Sequence, residues 1–194
     1  MDLKLTGKRA LVTGSSSGIG AEIARMLAAE DVRVVVHGRD QARAKAVADD
    51  IVAKGGVAAV VVGDLMTPDG LAAVIKDAEQ AFGGIDILVN NAGGSDPTNA
   101  SGWLETTGDE WTDAAVDRPG YKNVEQGAAT TIWCAVSPQL DDKGGVYCAD
   151  CDISALLPND SADLVGVRQW AVDLNAATAL WGLTERLIDV HWPK

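Results

Sequence analysis

Residues 13 to 20 read Thr-Gly-Ser-Ser-Ser-Gly-Ile-Gly, with Gly14, Gly18 and Gly20 lying between an apolar run (Ala10, Leu11, Val12) and an amphipathic one. A strand that turns sharply into a helix needs glycine where φ is positive or where a Cβ would obstruct a phosphate. A helix beginning near Gly18 would aim its free N–H groups and the positive end of its dipole at the turn, which favours an anion without any basic side chain. Ser15, Ser16 and Ser17 add hydroxyl donors. The chemistry indicated is a cradle for a dinucleotide pyrophosphate, built from Gly14, Ser16, Ser17, Gly18, Ile19 and Gly20. Glycine-rich turns are common, and it is the flanking strand and helix that make this one specific.

The next residues with chemical meaning close the second apolar run, His37-Gly38-Arg39-Asp40. In a nucleotide-binding sheet this is where the adenosine ribose lies. An acid there bonds the ribose hydroxyls of NAD, whereas an arginine pairs with the 2′-phosphate of NADP. Asp40 directly precedes Gln41-Ala42-Arg43-Ala44 and suits a helix N-cap. That leaves Arg39 to choose the cofactor, and it favours NADP over NAD. Asp64 and Leu65, after a third run, would reach the adenine edge, and Asn91, Ala92 and Gly93, after a fourth, would close the pocket.

The elements that must position these groups alternate along the first half of the chain. Strand signals at Arg9 to Thr13, Val32 to Val36, Val57 to Val62 and Ile85 to Val89 are short, rich in β-branched residues and bounded by turn residues. Such near-continuous apolar runs are the mark of parallel strands buried on both faces. Between them, Gly18 to Leu27, Gln41 to Ala53 and Asp69 to Phe82 carry apolar stripes at helical spacing. Strand–helix alternation of this kind implies a parallel sheet covered on both sides.

Composition limits the partners. The 194 residues are 47% hydrophobic and 23% charged, which suits one soluble domain. A chain of this length buries roughly 70% of its unfolded surface, so folding requires neither metal nor disulfide. A net charge of −12 without any run of Lys or Arg argues against nucleic acid and anionic membranes. No apolar run has membrane-spanning length and Met1-Asp2-Leu3-Lys4 lacks a signal-peptide layout, so the cytoplasm is the expected location. Of the cysteines, only Cys148 and Cys151 have the two-residue gap used by metal and redox sites. Zinc needs about four ligands, and Cys134, His37 and His191 are not at ligand spacing, so all three cysteines read as reduced and structural, with no metal expected.

Taken together, Thr13-Gly14-x-x-x-Gly18-x-Gly20, Asp64 and Asn90-Asn91-Ala92-Gly93 resemble the short-chain dehydrogenase/reductase family over residues 5 to about 116. The resemblance implies a Rossmann sheet, NAD(P)H and hydride exchange between an alcohol and a carbonyl. It also implies that Asn90 braces the fourth strand while Asn91, Ala92 and Gly93 line the nicotinamide side. A loop with Pro97 and Gly102 leads to a helix start at Thr107 to Val116, which Asp117-Arg118-Pro119-Gly120 interrupts, since proline cannot continue a helix. From Pro119 onward, Gln126-Gly127-Ala128-Ala129-Thr130-Thr131, Gly144-Gly145-Val146-Tyr147 and Cys151 are similar to the C-terminal tail of retinol-dehydrogenase-like members. The central segment of that family, with its catalytic serine, tyrosine and lysine, has no counterpart, and no catalytic residue is assigned. The chemistry needs Tyr and Lys four residues apart on one helix face. Four residues beyond Tyr121 is Glu125, and four beyond Tyr147 is Cys151. Two functions follow: an NADP-dependent oxidoreductase with an impaired site, or a catalytically silent dinucleotide-binding or interaction protein, a shortened product of a longer gene.

The tail is expected to hold a helix at Val124 to Val136, a strand-like Val146-Tyr147 and a last helix from about Asp173 to Asp189, with Trp133, Trp170 and Trp181 packed in a core. The whole chain reads as a single domain, residues 1–117 forming the dinucleotide-binding part and 118–194 a mainly helical tail packed on it. The sheet would end at Ile85 to Val89, an apolar edge that must be covered. The Val146-Tyr147 strand is the favoured cover, with tail helices or pairing with a second copy, hence a homo-oligomer, as the other solutions.

Overall fold

The computed structural model describes residues 4–93, 122–163 and 166–188, grouped in two compact units, Met1–Ser137 and Pro138–Lys194. In the first unit, strands β1 (Arg9–Val12), β2 (Arg33–Gly38), β3 (Val57–Val62) and β4 (Ile87–Val89) form one parallel sheet in the order β3-β2-β1-β4. Helices α1 (Gly18–Ala29), α2 (Gln41–Ala53) and α3 (Pro68–Phe82) connect them, and α4 (Val124–Val136) follows. The order runs outward from β1 to β3 and then crosses to β4 on the other side. The switch point therefore falls between β1 and β4, at whose carboxyl ends a doubly wound, Rossmann-like sheet opens its crevice.

Side-chain alternation explains the layers. Ala10, Val12, Val34 and Val36 join Ile23, Leu27, Val47, Ile51, Ala128 and Ile132 on one face, beneath α1, α2 and α4. Leu11, Val35 and Val61 meet Val74 and Ala78 of α3 on the other. Because each strand is apolar on both faces, the expected parallel sheet has no other place for these residues than the middle layer. Asp40 caps α2, its Oδ1 accepting from the Ala42 and Arg43 N–H groups at 2.8 and 3.1 Å, as its position before Gln41 predicts. Thr67 caps α3 through the Gly70 N–H.

The fourth strand begins at Ile87, two residues later than the apolar pattern suggests, because Asp86 is engaged elsewhere. Its carboxylate accepts from Arg9 Nε and Nη2 at 2.8 and 2.7 Å and from the Arg9 backbone N–H at 2.9 Å, tying the amino ends of β1 and β4 together. Hydrogen bonds from Arg9 hold the Asp86 carboxyl well below the usual carboxylate range. A carboxylate with a depressed folded-state pKa stabilises the fold above its unfolded value and loses that contribution as pH falls. Asp86→Asn is therefore expected to lower the thermal midpoint at neutral pH, and the gap from wild type should narrow below pH 3.8. A gap independent of pH would show that the ion pair is not its source.

The second unit corrects two expectations. Val146-Tyr147 does not join the sheet: β5 (Cys148–Ala149) pairs antiparallel with β6 (Asp152–Ile153). Asp150 and Cys151 both adopt left-handed backbone, φ 52° and 58°. This is the conformation of a two-residue hairpin turn, which folds the strand back on itself and satisfies its backbone locally. A second small pair joins β7 (Leu156–Leu157) to β8 (Val167–Arg168) in parallel, and α5 (Leu174–Ile188) follows. The tryptophans do not form a core there. Trp170 is 66% and Trp181 51% exposed, with Trp181 Nε1 donating to Glu185 one turn on at 3.1 Å. Two-residue strands present too little apolar surface to bury a helix face, and Val167 is the one buried hydrophobic residue among the described residues of this unit. Trp133, in α4, is half-buried.

Cys148 and Cys151 are half-buried, and Cys134 is exposed. No helix among the described residues is long and apolar enough to cross a membrane. The loop with Pro97 and Gly102, the helix start at Thr107 to Val116, its interruption at Asp117 to Gly120, and Tyr121 lie outside the described residues.

Candidate functional site

Each residue assigned to the cofactor follows the carboxyl end of a strand, so the parallel sheet brings them to one edge. Gly14, Ser16, Ser17, Gly18, Ile19 and Gly20 follow β1, Arg39 follows β2, Asp64 and Leu65 follow β3, and Asn91, Ala92 and Gly93 follow β4.

The loop after β1 is compressed by design of its sequence. Gly14 has φ +65°, and a Cβ there would lie 2.8 Å from the Ala92 Cα. A Cβ on Gly20 would strike Asn91 Nδ2 and lie 2.6 Å from the Gly14 carbonyl oxygen. Helix α1 can thus start directly against β1 and the loop after β4. Ser17 is the N-cap of α1 by backbone, but its side chain makes no capping bond. The first-turn N–H groups of α1 are consequently left to an external acceptor, which is what an anion site requires. Ile19 is 44% exposed and touches α4, where the lack of a side chain on Gly127 leaves room for its Cδ1. Gly20→Ala should cost about 1–3 kcal/mol, the usual range for overpacking against backbone. Denaturant unfolding reads it, and an unchanged midpoint would mean the loop yields freely.

At the end of β2, Arg39 is exposed and has no hydrogen bond or ion pair among the described residues. The neighbouring carboxylate of Asp40 is committed to the α2 cap and lies 3.9 Å from Arg43 Nε. Asp64 spends Oδ1 on the Met66 N–H at 3.0 Å, shaping the turn into α3, and Leu65 packs partly into the α3-side core.

After β4, the bracing carboxamide is that of Asn91. Its Nδ2 donates to the carbonyls of Thr13 and Gly14, at 2.9 and 3.3 Å. Asn90 is exposed. The Asn91 backbone N–H also turns in toward Thr13, at 3.0 Å from its Oγ1, which brings the side chain to the glycine loop. Ala92 and Gly93 are exposed at the crevice.

Three residues hold this edge together: Thr13 and His37, not assigned from the sequence, and Ser15, expected there as a hydroxyl donor to the ligand. Thr13 Oγ1 donates to the Val89 carbonyl at 3.2 Å and accepts from the N–H groups of Asn91 and Ala92 at 3.0 and 2.9 Å, clasping β1 to β4. Ser15 is fully buried; its Oγ donates to Val12 O at 2.6 Å and accepts from the His37 N–H at 2.9 Å, so it offers no hydroxyl to a phosphate. His37, 3% exposed, contacts the loops after β1 and β3 through its ring. Burial pushes its pKa below the ordinary 6.5. The signal for it was present in Val34-Val35-Val36-His37, where one polar ring occupies an interior phase of the strand.

Comparison with known proteins gives concordant results. A family model described as short chain dehydrogenase matches residues 8–142. A fatty acyl-CoA reductase of Mycobacterium tuberculosis is 45% identical over 188 residues, 97% of this chain and 59% of that protein. An uncharacterised oxidoreductase of Staphylococcus aureus is 32% identical over 168 residues, 87% of this chain and 68% of its own length. A metagenomic short-chain oxidoreductase solved in complex with NADP is 47% identical with a TM-score of 0.44, covering 46% of this chain and 40% of that one. The chain thus spans well under two thirds of the first of these relatives.

Proposed function

The chain belongs to the short-chain dehydrogenase family of oxidoreductases, and from that premise we propose that its crevice binds NADP(H) in preference to NAD(H), with an alcohol or carbonyl compound as the second ligand. The observation that carries the cofactor choice is an Arg39 at the end of β2 that is exposed and has no partner among the described residues, beside an Asp40 whose Oδ1 caps α2. A guanidinium with no acid partner among the described residues suits the 2′-phosphate of NADP, while Asp40 spends its Oδ1 on the α2 N-cap. The loop fits a pyrophosphate: Gly14 and Gly20 let α1 start tight against β1 and the loop after β4, the Cβ direction of Gly18 is open, and the uncapped start of α1 supplies N–H donors. Asn91 and Thr13 keep that loop in register with the end of β4.

When bound, NADPH would supply a hydride to a carbonyl. The protein's own contribution to that step is weak on this reading, because no tyrosine has a lysine four residues on. Tyr147, 56% exposed, stands just before a hairpin whose turn includes Cys151, so it and the residue four positions on share no helix face. This favours, as the second reading, a protein that holds the dinucleotide without turning it over. Titration with NADPH, read by its fluorescence, tests the shared premise. Saturable enhancement supports it, and folded protein giving no change at any cofactor concentration would overturn both readings.

A further inference from the structure

We infer that His37 is a positioning residue for the cofactor: its imidazole, inserted between the loops after β1 and β3, holds the Gly14 backbone in the conformation from which the phosphate loop departs. The inference rests on the reading that this loop binds NADPH.

Its basis is hydrogen-bond geometry. His37 Nδ1 lies 3.1 Å from the Gly14 N, and Nε2 lies 3.1 Å from the Gly63 carbonyl oxygen. A backbone N–H only donates and a carbonyl only accepts. Nδ1 must therefore be bare and Nε2 must carry the proton, so the two loops together select one neutral tautomer. An imidazolium would set N–H against N–H at Gly14. The backbone of the same residue adds two bonds to the loop: Ser15 N–H donates to His37 O at 2.8 Å, and His37 N–H donates to Ser15 Oγ at 2.9 Å. Gly38, next along, leaves no room for a Cβ beside Ser16, which a Cβ would approach to 2.6 Å at Oγ. The end of β2 is thus pressed onto the loop by residue 38 and bonded to it by residue 37.

Gly14 is where this matters. Its φ is +65° and a Cβ on it would lie 2.8 Å from the Ala92 Cα, so the loop has one tight path between β1 and α1. With the Gly14 N–H anchored inward, the donors left facing outward are those at the start of α1. The charged groups on the elements around the ring are otherwise engaged or remote: Arg39 is exposed, Asp40 caps α2 and Asp64 accepts from Met66 N–H. Burial lowers the pKa of the ring and no charged neighbour opposes it.

Two substitutions separate positioning from bulk stability. In His37→Asn, Oδ1 takes the place of Nδ1 and can still accept from Gly14, but the Gly63 contact is lost. In His37→Gln, the amide reaches toward Gly63 and the Gly14 N–H is left buried without an acceptor. Each variant keeps one ring contact, so their thermal midpoints should fall by similar amounts. NADPH affinity should separate them: within about threefold of wild type for His37→Asn, and roughly tenfold weaker for His37→Gln. Wild-type affinity should also fall, more steeply than that of His37→Asn, as pH drops beneath the ordinary histidine range and the buried ring gains its proton. The 2′-phosphate of the ligand titrates in both, so the difference isolates the ring. Long-range proton–nitrogen NMR on the wild type needs no variant and should report the Nε2–H tautomer at pH 7. Equal affinity losses in the two variants, or the Nδ1–H tautomer, would overturn the inference alone. Wild type that fails to bind NADPH would overturn the functional reading as well.

Discussion

Purified protein given NADPH and a broad panel of carbonyl compounds is expected to turn over about 10²- to 10⁴-fold more slowly than a family member with Tyr and Lys four residues apart on one helix. This is the span that general acid–base assistance typically contributes. A hydride delivered to a carbonyl carbon leaves an alkoxide that needs a proton, and a phenol supplies it efficiently only when an adjacent ammonium lowers its pKa. In this chain, four residues after Tyr121 is Glu125, in the first turn of α4, a carboxylate where the chemistry needs an ammonium. Four residues after Tyr147 is Cys151, at a left-handed turn position. Steady-state assays under saturating NADPH test the expectation. Robust turnover that disappears in Tyr121→Phe or Tyr147→Phe would refute it and identify the replacement acid.

Arg39→Ala is expected to weaken NADPH binding roughly ten- to hundredfold while leaving NADH binding nearly unchanged. A charge-assisted pair contributes about 1.5 to 3 kcal/mol, and each 1.4 kcal/mol is a factor of about ten in affinity. The effect should be selective because Arg39 is exposed and has no partner among the described residues, so its removal breaks no native contact. Thermal stability should be unaffected for the same reason. Fluorescence titration of both cofactors reads the ratio directly. Equal affinities in the wild type, or a preference that survives the substitution, would take the role away from Arg39. Raising the salt concentration should erode the NADPH preference of the wild type, since an exposed pair is screened.

How far the fold and site were legible in the sequence follows from the range of the interactions involved. Helices α2 and α4 run from Gln41 to Ala53 and from Val124 to Val136, as the residue pattern indicates, and Asp40 caps the first of them. Strand β3 likewise occupies Val57 to Val62. Capping, helical periodicity and runs of β-branched residues act within a few positions, so the sequence alone determines the alternation of strands and helices. The parallel sheet and the gathering of the glycine loop, Arg39, Asp64 and Ala92 at its carboxyl edge follow from that alternation. Tertiary structure decided everything that depends on residues distant in the chain. Thr13 meets Val89, Asn91 and Ala92 only because β4 lies beside β1; His37 reaches both Gly14 and Gly63 only because β2 lies between β1 and β3. Asn91 braces the glycine loop because its backbone turns inward at Thr13. The exposure of Trp170 and Trp181 was decided there too. Whether an apolar segment joins a sheet or a core depends on what surface is available to cover it, a property of the packed chain and of no single stretch.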